Sequence, residues 1–382
     1  MAAAISSARQ GAAVTLVERA SQPGRKVLVC GGGRCNLLNE RLDESFYNAE
    51  AQPLVRSVFS SFGKTQIKDF FSELGLATYA EGDRVFPVTN QASSVLRVLL
   101  VEIKRLGIMM KNDFEVVEFS RRSNGFDVKA RNGGCVRCEK IIVAAGGRSY
   151  PVTGSDGSII PVVRKLGHAI IEPVPVAVPL IVKDDLCHRL QGQRIMARVE
   201  AVINGRPVCR HEGDVLFTRY GLSGTAVLDV SRHVSIALHR CGAGSAALII
   251  DMVPFLQPEA LKDEIIRRFD KGIPAEDILC GILPEKFSPV FRPLLKRKEV
   301  DGLVSCLKAR ELIVSGTRGW SEAEFTAGGV AADEINKSTM ESLIQRGVYF
   351  CGEVLDVDGI RGGYNLAWAW ASGLLAGLNS AT

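Results

Sequence analysis

Val14-Thr15-Leu16-Val17-Glu18 is an apolar run that closes on a carboxylate, preceded by Gly11 and, before that, by the alanine-rich stretch Met1 to Gln10. In a dinucleotide-binding βαβ unit a strand enters a G-x-G-x-x-G loop and a helix carries the chain back. A second strand then ends in an acidic residue that holds the ribose hydroxyls. The opening of this chain reads as the later half of such a unit. Met1 to Gln10 is expected to be the crossover helix, with Ala2, Ala3, Ala4, Ile5 and Ala8 giving small apolar contacts, and Gly11 is placed as its C-cap. Val14 to Val17 is expected to be a strand buried on both faces of a parallel sheet. No glycine-rich loop precedes it, so the reading begins inside its first βαβ unit, as a truncated start or a shortened gene would produce.

The composition excludes several classes. A chain of 382 residues, 46% hydrophobic and 23% charged, can bury more than one core. The net charge of +5 comes from 47 basic and 42 acidic residues without a long basic run, so nucleic-acid binding has no electrostatic footprint. No apolar run reaches bilayer length and the opening lacks a cationic stretch followed by an apolar one, so no membrane anchor is expected. Ten scattered cysteines do not make a secreted disulfide framework, and a reducing cytoplasm is the expected setting. The acid-free first seventeen residues faintly resemble a transit peptide, although the crossover helix already accounts for them. Nothing sets an oligomeric state.

Periodicity organises the rest. Lys64 to Leu76 and Ala92 to Leu106 read as amphipathic helices, FEVVEF and FDVKA as a hairpin around residues 121–125, and KIIVAAGG as a buried strand. Past Gly167 the texture turns to short strands such as ARVEAVING, RPVCRH, DVLFT and AALIIDMV. Helical patterning intervenes from about Gln257 to Ala309, strand patterning returns in ELIVSG, and dinucleotide-binding texture reappears near residue 325.

Three segments carry the chemistry. In GRKVLVCGGGRCN, Gly24 to Asn36, an apparent strand ending at Cys30 leads to three glycines whose backbone can approach an anionic or flat ligand, with charge from Arg25, Lys26 and Arg34. A tight structural turn would use the same glycines. In IIVAAGGRSYPVTGSDG, Ile141 to Gly157, Ala145, Gly146 and Gly147 at a strand's carboxyl end leave room for a cofactor or simply for packing. VYFCGEVLDVDGIRGGYNLAWAWASG, Val348 to Gly373, joins a strand, the Gly352-Glu353 pair, a Gly362-Gly363 turn and a helix whose start can face an anion or an electron-rich ring. Trp368 and Trp370 fit a core equally well.

These three segments, together with LFTRYGLSGTAVLDVSR (216–232) and TAGGV (326–330), resemble the BaiN-like bacterial flavoproteins, NAD(P)/FAD-dependent oxidoreductases that include the bile-acid dienone reductase of gut clostridia. The resemblance covers essentially the whole chain, and the pairing of GGGRCN with CGEVLDVDGIRGGYN makes it specific. It implies an α/β fold: a split, Rossmann-like FAD-binding domain of the two-dinucleotide-binding-domain type, interrupted by a β-rich domain with a helical insert. The expected boundaries are 1–170 and 326–382 for the FAD domain, 171–256 and 310–325 for the β-rich domain, and 257–309 for the insert.

The resemblance also implies site residues. Glu18 would hold the adenosine ribose, with Arg25 and Lys26 along the cofactor and Gly31, Gly32, Gly33, Arg34, Cys35 and Asn36 near the flavin. Val116 would meet the adenine, and Ala145, Gly146 and Gly147 would line the crevice. Gly352 and Glu353 would reach the ribityl and pyrophosphate region, with Gly363, Tyr364, Asn365 and Leu366 at the isoalloxazine end. Such a protein is expected to be an enzyme that takes hydride from NAD(P)H and delivers it to a small organic acceptor such as an activated C=C bond. Asp356, Asp358 and Tyr364 are acid candidates near the flavin, each better explained as structural or ligand-orienting.

Where the family places its opening strand and glycine loop, this chain has none. Backbone groups left unpaired on the neighbouring strands would each cost about 1 to 3 kcal/mol when buried, so several of them would consume much of a folding stability of roughly 5 to 15 kcal/mol. Poor FAD binding by the 382 residues is therefore expected.

Three other readings compete: a non-catalytic shortened paralogue, a flavin-linked dithiol enzyme using Cys30 and Cys35, and an RNA-modifying flavoprotein. Cys135 and Cys138 form a lone pair with no zinc-type partner. None of the five histidines is singled out by spacing. Ser223 lacks the second glycine of a nucleophile elbow, since Thr225 stands there.

Overall fold

A computed structural model describes residues 1–382, which divide into two compact units: Met1–Pro173 with Phe325–Thr382, and Val174–Glu324. The first unit, built from both ends of the chain, is α/β, and the second contains a closed β-barrel.

In the first unit the Ala2–Arg9 helix leads into the strand Thr15–Val17, which pairs in parallel with Met109–Lys111. Ile141–Val143 pairs in parallel with Val348–Phe350. These are separate two-stranded ribbons with no ladder joining them. Thr15–Val17 is accordingly half-buried along its length, not covered on both faces as its apolar sequence suggests. The 17-residue helix Tyr364–Ser380 is the spine of the core: Ala367, Trp368, Ala371 and Leu375 are buried, with Ile5 of the first helix in the same cluster. Trp368 and Trp370 are core residues, each indole N–H bonded to a carbonyl, of Gly352 and Leu37 respectively.

Two three-stranded antiparallel sheets also lie in this unit. Val116–Arg122, Gly125–Ala130 and Cys135–Cys138 form the expected hairpin and a third strand. Leu38–Asn39, Arg84–Pro87 and Thr78–Glu81 form the other.

One local reading is corrected. Arg25–Val29, expected as a strand ending at Cys30, is a short helix followed by a tight turn over Cys30–Gly33. Gly24, with φ of +77°, turns the chain just before it. Val27, Leu28 and Val29 favour a strand intrinsically, but the segment packs against the Ala92–Arg105 helix and has no ladder to join.

The second unit closes six antiparallel strands into a barrel: Leu180–Val182, Gly221–Ser223, Arg206–Thr218, Arg194–Ile203, Ala246–Asp251 and Arg310–Thr317, the last pairing back with the first. Alternation fills its interior with Ala197, Val199, Val215, Phe217, Leu248, Ile250 and Leu312. RPVCRH and DVLFT are a single 13-residue strand. The Thr225–His239 helix, not foreseen in the β-rich texture, covers the barrel core with Val227, Val230 and Val234. Helices Pro258–Asp270, Phe287–Arg297 and Val300–Lys308 form the helical insert.

Candidate functional site

Three distant stretches of the first unit converge on Glu353. It sits beside Gly352 just past the strand Val348–Phe350, and its side chain is 18% exposed. One oxygen accepts from Ser149 Oγ at 3.0 Å and from the Thr326 amide at 2.8 Å. The other is paired with the Lys26 ammonium, which also donates to Ser149 Oγ at 2.7 Å. Thr326 Oγ1 accepts from the amides of Arg148 and Ser149 at 2.9 and 3.1 Å. A Cβ on Gly147 would lie 2.8 Å from Thr326 Cβ and 3.2 Å from Glu353 Cδ, so only glycine lets the strand-end turn close on this knot. Lys26, Gly147 and Glu353 are thus brought together. Ser149 and Thr326, which sequence reading missed, hold them there.

A second convergence lies at the start of the Tyr364–Ser380 helix. Gly363, with φ of +103°, approaches the Asn36–Leu38 backbone so closely that a Cβ would fall 2.8 Å from both Asn36 Oδ1 and Leu38 O. Asn39 Nδ2 donates to Gly362 O at 3.0 Å, and Tyr47 Oη donates to Tyr364 O at 2.7 Å. Asn365 clasps Gly359 with two hydrogen bonds of 2.9 Å. The helix ladder begins with Ala367 N to Gly363 O, leaving the amides of Tyr364, Asn365 and Leu366 without intrahelical acceptors. Buried Asn36 Oδ1 has no hydrogen-bond partner in the chain. Upstream, Gly31, Gly32 and Gly33 all have positive φ, a left-handed turn that other residues would not follow.

The HI0933-like protein Rossmann domain family matches residues 1–379. The chain belongs to this family. It is 34% identical over 390 aligned positions to the 3-dehydro-bile acid delta(4,6)-reductase of Clostridium scindens, covering 98% of this chain and 95% of that one. It is 29% identical to the ribosomal RNA dihydrouridine synthase of Escherichia coli, covering 95% and 90%. Among solved structures, the 3-ketosteroid-delta4-(5alpha)-dehydrogenase of Rhodococcus jostii aligns with a TM-score of 0.52 at 15% identity, covering 100% of this chain and 94% of that one, a likeness of fold alone.

The other expected site residues of this HI0933-like chain are spread more widely. Glu18 follows the Thr15–Val17 strand, with Oε1 accepting from the Ala20 amide at 2.8 Å and its own carbonyl accepting from Phe114 N at 2.9 Å. Val116 opens the next strand, paired with Ala130. Burial pushes the α-amino group of Met1 below its usual range. Ala145 is exposed and Gly146 half-buried. Arg25 is exposed too. Arg34 turns away: its guanidinium binds Glu81 and Tyr79 Oη and lies 4.1 Å from the Phe86 ring centre.

Burial pushes the Cys35 thiol far above the usual range. Cys30 Sγ donates to Lys26 O at 3.1 Å.

No helix is long and apolar enough to cross a membrane.

Proposed function

We propose that this protein is an FAD-dependent oxidoreductase that passes hydride from NAD(P)H through the flavin to a small organic acceptor with an activated C=C bond. The observation that carries this reading is the convergence of three glycine segments at the Glu353 knot and the Gly363 turn, with buried Asn36 Oδ1 left unpartnered beside that turn. The residues present fit the group: buried Asn36 Oδ1 has no partner in the chain, and the first turn of the Tyr364–Ser380 helix offers amides to an electron-rich ring edge. Glu18 would hold the adenosine ribose, Glu353 the ribityl chain, and Asn36 with Tyr364 to Leu366 the ring system.

When bound, the flavin supplies the two-electron chemistry. The chain's own residues bind and orient. Lys26 fixes the Glu353 carboxyl by charge and hydrogen bonding, Ser149 and Thr326 keep it aimed, and buried Tyr47 anchors the first residue of the final helix. Reduction of a conjugated double bond is supported by the Clostridium scindens relative, a 3-dehydro-bile acid delta(4,6)-reductase. The ribosomal RNA dihydrouridine synthases favour a second reading, since a dihydrouridine is a uridine with its ring C=C reduced. The slight net charge and absence of a basic run support the small-molecule reading.

The test is spectroscopic. The purified protein is titrated with FAD and followed by visible absorbance, then mixed anaerobically with NADH or NADPH, and finally with a conjugated enone or dienone. Weak binding, as the absent glycine loop implies, is expected to need saturating FAD, and bleaching and enone-dependent recovery of the oxidised spectrum are expected to follow. An unchanged FAD spectrum at saturating cofactor would overturn the reading, and recovery with unmodified ribosomal RNA but with no enone would favour the second one.

A further inference from the structure

Beside the Gly363 turn, and separate from the Glu353 knot, the first unit has a cavity of about 340 Å³ lined by Glu40, Arg41, Leu42, Asp43, Ser45, Phe46 and Lys64. Its link to the site is aromatic: the Phe46 ring lies 4.7 Å, centre to centre, from that of Tyr364, and Phe46 O accepts from Ile360 N at 3.0 Å. Its charges are unevenly matched. Glu40 is paired with Lys68 and, at 3.4 Å, with Lys64, which also donates to Glu40 O at 2.9 Å. Asp43 caps the following turn, accepting from Ser45 N at 2.9 Å. Arg41 makes no ion pair within the chain. Its backbone is pinned to Asn39 Oδ1 at 2.9 Å, and its guanidinium lies 5.9 Å from the Phe46 ring centre.

We propose that this cavity is a carboxylate subsite, in which Arg41 binds the carboxylate of a small-molecule acceptor whose carbon skeleton runs over Phe46 toward Tyr364. The exposed, planar Arg41 guanidinium has no carboxylate partner in the chain and can make two parallel N–H···O bonds to one, and Ser45 can add a hydroxyl donor. Glu40 and Asp43 in the same wall select against a doubly charged group such as a phosphate monoester. The volume suits one end of a ligand and not a dinucleotide. The subsite rests on the proposed function only for what it does, because the direction toward Tyr364 matters if the reacting ring is there; the anion site itself does not depend on it.

Two measurements separate the claims. First, saturation-transfer NMR with benzoate and with neutral benzamide, with and without FAD, is expected to show transfer to benzoate alone and its loss in Arg41→Gln, with Arg41→Lys intermediate because it keeps the charge but loses the fork. Equal transfer to both probes, or benzoate transfer that survives Arg41→Gln, overturns the subsite. Second, enone carboxylic acids and their methyl esters are compared as oxidants of the reduced protein. The wild type is expected to prefer the acid by roughly 10- to 100-fold in kcat/KM, the span of one charge-assisted contact, and Arg41→Gln is expected to bring the ratio near one. An acid-to-ester ratio near one in the wild type overturns the acceptor assignment, as does an Arg41→Gln effect confined to NADPH. If no reductant bleaches the flavin while the benzoate result holds, the oxidoreductase reading fails and the anion site stands.

Discussion

At the scale of single residues, the Glu353 knot depends on what Gly147 lacks. An added methyl would collide with Thr326 Oγ1, and Thr326 is fixed by two backbone amides, so it cannot move without releasing the turn. Gly147→Ala is therefore expected to lower stability by about 1 to 3 kcal/mol, as overpacking does, and to weaken FAD binding at least tenfold; chemical denaturation and FAD titration check the two effects. The glycines and Glu353 were legible in the sequence because their spacing is unusual. Thr326 and Ser149 were not, because a hydroxyl carries no pattern until the fold supplies its partners. Histidine shows the reverse case. His168 bonds Glu334 through Nδ1 at 2.7 Å and Ser342 through Nε2 at 2.9 Å, the outline of a nucleophilic relay. Yet the His168 side chain is fully buried, and Ser342 Oγ accepts from the amides of Ile344 and Gln345 at 3.0 and 2.8 Å. With its lone pairs engaged and no access, that serine ties a loop in place.

At the scale of elements, the first helix is held by close approach and by charge. Gly377 lets the last helix lie directly on the first, where a Cβ would fall 2.7 Å from Ser6 Cβ and 3.0 Å from Ala3 C. Farther along, Arg9 reaches Glu102 of the Ala92–Arg105 helix at 2.9 Å, and Arg105 binds the same carboxylate at 2.6 Å. Arg105 first and Arg9 second outweigh desolvation and hold Glu102 at about 2 against an ordinary 4.5. A carboxylate depressed in the folded state contributes stability that is fully present above pH 4.5 and is lost as pH falls toward 2. Glu102→Gln is expected to lower stability by about 1 to 3 kcal/mol at neutral pH and to flatten the acid limb of a stability-against-pH curve; an unaltered acid limb would exclude this latch. Helices with a clear apolar stripe, such as Ala92–Arg105, were readable from periodicity. Arg25–Val29 was not, because five residues are too few to set a period and β-branched valines pointed to a strand that tertiary packing denied.

At the scale of the molecule, Val174 to Glu324 is a unit with its own core. Its buried cluster, from Leu180 to Val314, is drawn wholly from inside those limits, and the six-stranded barrel leaves no edge open. Barrel closure itself was not legible, since alternation gives the inward face of each strand but not the pairing of the last strand with the first. The ends of this unit are tied together: Glu324 N donates to Ala177 O at 3.2 Å and Arg318 N to Pro179 O at 2.9 Å. Excision therefore leaves no long gap to close and removes no strand from the barrel. Residues 174–324 expressed alone are expected to fold, with β-rich far-UV circular dichroism, one cooperative melting transition and no FAD binding. A non-cooperative or molten product would mean that the barrel needs the first unit to reach its native packing, and flavin retained by the fragment would place the cofactor in the barrel and move the active site away from Glu353 and Gly363.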